Sequence, residues 1–182
     1  MIDPLEIIQK YYEKDSELYQ IYISHAHSVT NLAMELIDKN PHLEVDKQFV
    51  YEAAMLHDIG IFMCDAPEIK CFGKHQYVEH GYLGSDLLKS EGLPLHALVC
   101  ERHTGAGISK SKILKKKLPL PVRDMRPVSQ EEKLICYADK FYSKTKLEQR
   151  FTVDHIRKKL QKHGKASVNR FEKWHEMFGY QE

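Results

Sequence analysis

The chain has 182 residues, enough for one full hydrophobic core and short for two catalytic domains. Its 27 Lys+Arg against 26 Asp+Glu leave a formal charge of +1, which gives no whole-molecule field for gripping a nucleic-acid backbone, so an anionic substrate must be held locally. No apolar stretch approaches the roughly 18 residues needed to span a bilayer and no secretory leader pattern opens the sequence, which predicts a cytoplasmic protein with no membrane partner. Cys64, Cys71, Cys100 and Cys136 lack C-x-x-C spacing and read as idle thiols.

Amphipathic stretches alternate with short breakers, and no period-2 strand is flanked by hairpin turns, so the pattern predicts an all-α fold. Helices are expected at about residues 4–14, 17–39, 46–58, 77–91, 94–104, 109–116, 129–144, 152–162 and 166–178. Pro41, Gly60, Gly92, Pro94 and Gly105 supply breaks between them. Residues 60–76 read as an irregular loop of the kind that forms a lid beside a site. Lys115 to Pro127 reads as a solvated, Pro-stiffened connector, with an anion-contacting loop as the alternative. Val153, Ile156 and Leu160, then Val168, Phe171, Trp174 and Phe178, predict two amphipathic helices around Gly164. The expected organisation is a single domain in which residues 1–150 carry the site and 151–182 form a helical extension packed on it, or on a second subunit of a homodimer.

With 11 histidines, a lone His carries little information and its place in an apolar stripe must decide. On the helix ending at Asp58, the stripe Val50, Ala53, Ala54 continues into His57 and Asp58. Burying a carboxylate beside an imidazole costs roughly several kcal/mol unless both are paired or hold a cation. A metal ion meets that need, and a hydrogen-bonded His-Asp pair in the core is the alternative. His25 shares its stripe with Val29, Leu32 and Leu36; His80 with Leu83, Gly84, Leu87 and Leu88; His103 with Val99 and Cys100; and Asp139 with Ile135 and Ala138. Four imidazoles and two carboxylates without thiolates suit one or two transition ions (iron, manganese, zinc, nickel or cobalt) better than calcium. His96 and His175 also lie on apolar stripes and read as core or interface histidines. His27, His42, His75, His155 and His163 read as surface residues.

The ordered set His25-Ala-His-Ser-Val29, Ala54-Met-Leu-His57-Asp58-Ile59-Gly60, His80-Gly81, Glu101-Arg102-His103-Thr104-Gly105 and Ala138-Asp139-Lys140 resembles the HD superfamily of metal-dependent phosphohydrolases over about residues 20–142. With Glu131-Glu132-Lys133 ahead of Asp139, it looks like the small HDIG-type proteins of bacteria and archaea. The resemblance implies an HD-domain helical bundle in which His25, His57, Asp58 and Asp139 hold one metal, while His80 and His103 serve a second metal or the substrate phosphate. Many members have Lys three residues after the motif Asp. This chain has Ile61 there, so that cation is missing or supplied elsewhere. The Gly-Tyr-Pro element of the cyclic-dinucleotide branch is absent.

The implied activity is hydrolysis of a phosphate monoester or phosphoanhydride on a small, nucleotide-like phosphorylated molecule by metal-activated water, with Asp58 as the catalytic carboxylate and no specific nucleic-acid partner. Arg102 and Lys140, each beside an expected ligand, are candidates for a phosphate clamp or else exposed helix residues. Thr104-Gly105-Ala106-Gly107 either lets backbone amides approach an anion or caps a helix. Two further functions suit the same residues: an HD-fold mixed-valent di-iron oxygenase and a non-catalytic nucleotide sensor.

Overall fold

Side-chain caps set most of the helix starts. Asp3, Ser16, Asp46, Ser109, Ser129 and Thr152 each accept a hydrogen bond from a backbone amide in the turn that follows. In the computed structural model, which describes residues 2–147 and 149–179, these caps open α1 (Pro4–Ile8), α2 (Glu17–Lys39), α3 (Lys47–Leu56), α6 (Lys110–Lys116), α7 (Gln130–Asp139) and α8 (Val153–Gln161). A 3-10 turn over Tyr77–Glu79, closed by a reciprocal Gln76–Glu79 capping box, leads into α4 (His80–Ser90). Pro94 opens α5 (Pro94–Arg102), and α9 (Lys165–Phe178) follows Gly164. Among the described residues the fold is all-α apart from one two-residue ladder and two isolated bridges, and no helix is long and apolar enough to cross a membrane.

Helix α2 packs on α3 and α7, and α5 closes against the same pair. Val29, Leu32 and Leu36 of α2, Val50 and Ala53 of α3, and Leu134 and Ile135 of α7 form one apolar cluster. Ile156 and Leu160 of α8 and Phe171, Trp174 and Phe178 of α9 complete it, so the C-terminal helices are part of this core. Each large side chain buried in this way contributes about 2–3 kcal/mol. A second cluster joins Tyr12, Tyr22, Met55, Leu56, Ile59 and Cys100 beneath the His57-Asp58 turn.

Several expected elements differ. Helix α1 stops at Ile8 because the chain turns to bury Tyr12, whose hydroxyl donates to the Ile59 carbonyl at 2.8 Å. Residues 60–76 are more ordered than a lid: β1 (Asp65–Ala66) pairs antiparallel with β2 (Cys71–Phe72), and Ile61, Cys64, Ile69 and Cys71 are buried. A two-residue ladder is too short to register as period-2 alternation. The segment from Lys115 to Pro127 is not a fully solvated connector either. Leu120 and Met125 are buried with Ile113 in a small cluster, and Met125 bridges antiparallel to Ile108. All four cysteines are buried and free. His96 faces Glu52 at 3.1 Å, and His175 Nδ1 lies 2.8 Å from the Tyr137 hydroxyl, as core histidines should.

Glycine permits the close approach that places α4. A Cβ on Gly60 would sit 2.2 Å from the His80 carbonyl oxygen and 2.5 Å from the Gly84 nitrogen. A Cβ on Gly84 would sit 2.5 Å from Cys100 Sγ, and one on Gly81 would sit 2.9 Å from the Cys100 carbonyl oxygen, so the backbone of α4 lies close against both the His57-Asp58 turn and α5.

Candidate metal centre

The last carbonyls of a helix have no partner within it. At the end of α3 the Tyr22 hydroxyl donates to the Met55 carbonyl at 2.8 Å, and His57 Nδ1 donates to the Ala54 carbonyl at 2.6 Å. His103 does the same at the end of α5, donating Nδ1 to the Cys100 carbonyl at 2.7 Å. His80 opens α4 and donates Nδ1 to the Tyr77 carbonyl at 2.5 Å. These bonds explain why α3 and α5 end at Leu56 and Arg102 rather than running on through the ligands. They also fix each ring with Nε2 directed into the site.

Six side chains converge there. His25 Nε2, from the middle of α2, lies 3.0 Å from Asp139 Oδ1 and 3.2 Å from Asp58 Oδ2. His57 Nε2 lies 3.1 Å from Asp58 Oδ2 and 3.5 Å from Asp139 Oδ1. The other Asp58 oxygen, Oδ1, is 3.3 Å from both His80 Nε2 and His103 Nε2. Asp58 thus stands between two groups, His25-His57-Asp139 on one oxygen and His80-His103 on the other. Within each group, completed by Asp58, the donor atoms lie within 4.8 Å of one another.

The chemistry of this donor set fits a cation. His80 Nε2 and His103 Nε2 are 3.1 Å apart, yet both Nδ1 atoms donate to carbonyls and burial holds both rings below their ordinary pKa, His80 at about 3. Two neutral rings in that tautomer turn lone pairs towards each other, which is favourable only with a positive charge between them or beside them. Both Asp58 oxygens are buried, and neither accepts a well-aligned hydrogen bond. Burial alone would lower His57, but Asp58 and Asp139 outweigh it and raise the ring to about 9, so the two carboxylates draw positive charge to this point. Helices α3, α5 and α7 also direct their C-terminal, partially negative ends at the site.

Two lysines neutralise the carboxylates. Lys140 Nζ lies 2.6 Å from Asp139 Oδ2, and Lys144 Nζ lies 2.5 Å from Asp58 Oδ2. Burial favours the protonated acids, but Lys144 and His57 hold Asp58, and Lys140 and His25 hold Asp139, well below the usual carboxylate range. Lys144 supplies the cation that Ile61 cannot. Sequence reasoning missed it because Lys144 lies in the turn beyond α7, where no apolar stripe reports which way a side chain points.

A cavity of about 810 Å³ opens on His80, His103 and Asp139, and Lys140, Lys144 and Thr104 line it. Arg102 does not line it, which corrects its expected role as a clamp: its guanidinium donates twice to Glu132, at 2.9 and 3.0 Å. The turn after Thr104 is more than a helix cap. Gly105 and Gly107 have φ of +63° and +78°, and Arg170 of α9 donates to the Ala106 and Gly107 carbonyls at 2.6 and 3.0 Å. The C-terminal extension thereby fixes one wall of the cavity.

Imidazoles and carboxylates carried to one point by the middle of α2 and the ends of the helices packed around it define a histidine–aspartate centre able to hold metal. The chain belongs to the HD domain family, which it matches over residues 22–144. It is 34% identical over 143 residues to the uncharacterized protein MJ0778 of Methanocaldococcus jannaschii, a match covering 77% of this chain and 75% of that protein. It is also 32% identical over 131 residues to the tRNA (cytidine(56)-2'-O)-methyltransferase of Picrophilus torridus, covering 71% of this chain and 34% of that protein. For the protein of the same name in Thermoplasma volcanium the identity is 31% over 159 residues, covering 85% of this chain and 40% of that one. The chain therefore spans well under half the length of these two methyltransferases. No solved structure matches it significantly.

Proposed function

We propose that this chain is a metal-dependent phosphohydrolase that cleaves a phosphate monoester or phosphoanhydride on a small, nucleotide-like molecule. The observation that carries this reading is the junction of six inward-facing nitrogen and oxygen donors with a lysine-lined cavity large enough for a nucleotide. The recurrence of the segment within proteins named for tRNA methylation supports a nucleotide-like substrate over a sugar phosphate.

His25, His57, Asp58 and Asp139 would hold one ion, and Asp58, His80 and His103 a second. When bound, such ions supply Lewis-acid charge that activates water and neutralises charge developing on phosphoryl oxygens. Asp58 stays ionised because Lys144 and His57 hold it so, which leaves a carboxylate able to accept a hydrogen bond from an attacking water and to orient it. Lys140 and Thr104 stand at the cavity floor, where each is able to donate to a phosphate oxygen. Ile108, Leu118 and Ile156 give the cavity apolar walls that exclude water and suit the body of a nucleoside.

The test is phosphate release from a panel of nucleotides and sugar phosphates by protein loaded separately with iron, manganese, zinc, nickel and cobalt. Metal-dependent release is expected with at least one nucleotide, lost on Asp58→Ala while circular dichroism retains the helical signal. A protein that binds iron and consumes oxygen with an alcohol or phosphonate, but releases no phosphate from the panel, would overturn the hydrolase in favour of an oxygenase.

A further inference from the structure

The inner lysines of the cavity are each paired with a carboxylate of the metal centre, Lys140 with Asp139 and Lys144 with Asp58. Further out the same cavity is lined by Lys112 and Lys116 from α6, by Lys159 from α8 and by Lys162, which caps the end of α8. Among the described residues, none of these four has a carboxylate within ion-pair distance. Outside the cavity Lys10, Lys39, Lys47, Lys70 and Lys89 meet a carboxylate, but Lys14, Lys74 and Lys133 among others do not, so it is the sharing of one cavity, more than the lack of a partner, that sets these four apart. In a chain carrying 26 acidic residues, a cavity lined by six lysines but by only Glu68 and Asp139 among the acids is a strongly uneven distribution.

The outer charges are crowded as well as unpaired. Lys112 donates to the His163 carbonyl at 3.3 Å, so the end of α8 is drawn onto α6 and the two lysine pairs face one cavity. Burial and neighbouring cations hold Lys112, Lys159 and His163 below their ordinary values. Like charges brought together without counterions attract an anion, and low-dielectric walls strengthen that pull. Helix α8 lies beyond the segment matched by the HD domain family and α6 within it, so the extension supplies Lys159 and Lys162 to a cluster whose other half, Lys112 and Lys116, belongs to the matched segment.

We propose that the outer part of the cavity is a second phosphate subsite, built from Lys112, Lys116, Lys159 and Lys162, and that the substrate is a nucleotide carrying at least one phosphate besides the one that is cleaved. This rests on the phosphohydrolase reading for the fate of the inner phosphate, but the subsite itself depends only on the lysines. The second phosphate is either attached elsewhere on the sugar or next in a diphosphate chain. Both sources present the same chemistry to the lysines, and the experiment separates them. A cavity of about 810 Å³ matches a small molecule of this kind.

The test is calorimetric binding of adenosine 5'-monophosphate, adenosine 3',5'-bisphosphate and adenosine 5'-diphosphate to the full chain, with chelator present so that nothing is turned over. The wild type is expected to bind one of the two doubly phosphorylated nucleotides about tenfold or more tightly than the monophosphate, and whichever shows the larger margin identifies the source. In Lys112→Gln/Lys159→Gln that margin should fall below about threefold. Lys116→Gln/Lys162→Gln changes two exposed side chains and repeats the test should the first variant fold poorly. Equal affinities in the wild type, or a margin that survives in both variants, would overturn the subsite. Tighter binding of a 5'-phosphorylated oligonucleotide than of any mononucleotide would overturn the small-molecule assignment. A margin seen in a protein that hydrolyses no nucleotide would support the subsite and overturn the phosphohydrolase reading instead.

Discussion

Lys144 Nζ lies 2.5 Å from Asp58 Oδ2, with the lysine side chain 12% exposed and the carboxylate 1%. The contact joins a turn beyond α7 to the turn beyond α3, and it places a fixed positive charge on the one residue shared by both groups of candidate ligands. Burial opposes the charge on Lys144, but Asp58 holds its pKa above the ordinary value.

Lys144→Met removes one partner of a buried pair. In the presence of chelator the variant is expected to lose about 3 kcal/mol, the low end for such a change because His57 remains to share the Asp58 charge. Hydrolysis by the metal-loaded variant should fall by roughly 100-fold. Urea denaturation and phosphate release measure the two effects, and unchanged urea midpoints in chelator would show that the ion pair is incidental.

Metal removal should be visible in stability. An ion present at 1,000 times its dissociation constant stabilises by about 4 kcal/mol, so chelation is expected to lower the melting temperature by about 10 °C. Elemental analysis should find two ions per chain, one for each group of donors. His80→Gln/His103→Gln should retain one, because the group containing His25 and His57 is left intact. Loss of all metal from that variant would mean a single shared ion.

The Glu52–His96 pair lies away from the metal centre and gives a clean pH signature. Burial, ahead of the opposing pull of Glu52, holds His96 below its ordinary value of about 6.5. A depressed histidine contributes stability that is present above the unfolded value and is lost as pH falls below it. Glu52 also has a depressed pKa, since Gln48, the Ile2 amide and His96 outweigh its burial, and its loss follows at still lower pH. His96→Gln keeps a donor towards Glu52 and removes the proton uptake, so its stability should fall less steeply than the wild type's from pH 6.5 downwards. Urea midpoints at pH 7, 6 and 5 decide this, with parallel slopes counting against it.

Gly60→Ala drives a Cβ into the His80 carbonyl and the Gly84 nitrogen, backbone atoms that cannot rotate away. The expected cost is about 3 kcal/mol, with weakened metal binding at His80 because α4 must shift. Gly92→Ala is the control: nothing lies within 4 Å, and its φ of +76° predicts a smaller loss of about 1 kcal/mol. If the two variants are equally stable, close backbone packing does not hold α4 in place.

His25, His57, Asp58, His80, His103 and Asp139 were legible in the sequence because each interrupts or extends an apolar stripe, and a stripe is a local consequence of 3.6 residues per turn. The caps Ser16, Asp46, Ser129 and Thr152 bond only to the turn that follows them, a local relation that the apolar stripes do not report. The same periodicity carried the expected helices past Leu56 and Arg102, because it does not register an imidazole bonding to the last carbonyls, and past Asp139, where the Lys140 and Phe141 amides tighten the last turn by bonding to the Tyr137 and Ala138 carbonyls. Arg102 and Glu132 are 30 residues apart and meet only where α5 packs on α7, while Lys144 finds Asp58 only after α7 ends. The outer lysines become one feature only when α8 folds back beside α6. Which residues face inward is written in the period of each helix; which charges meet depends on how helices distant in sequence pack, and only the tertiary structure decides that.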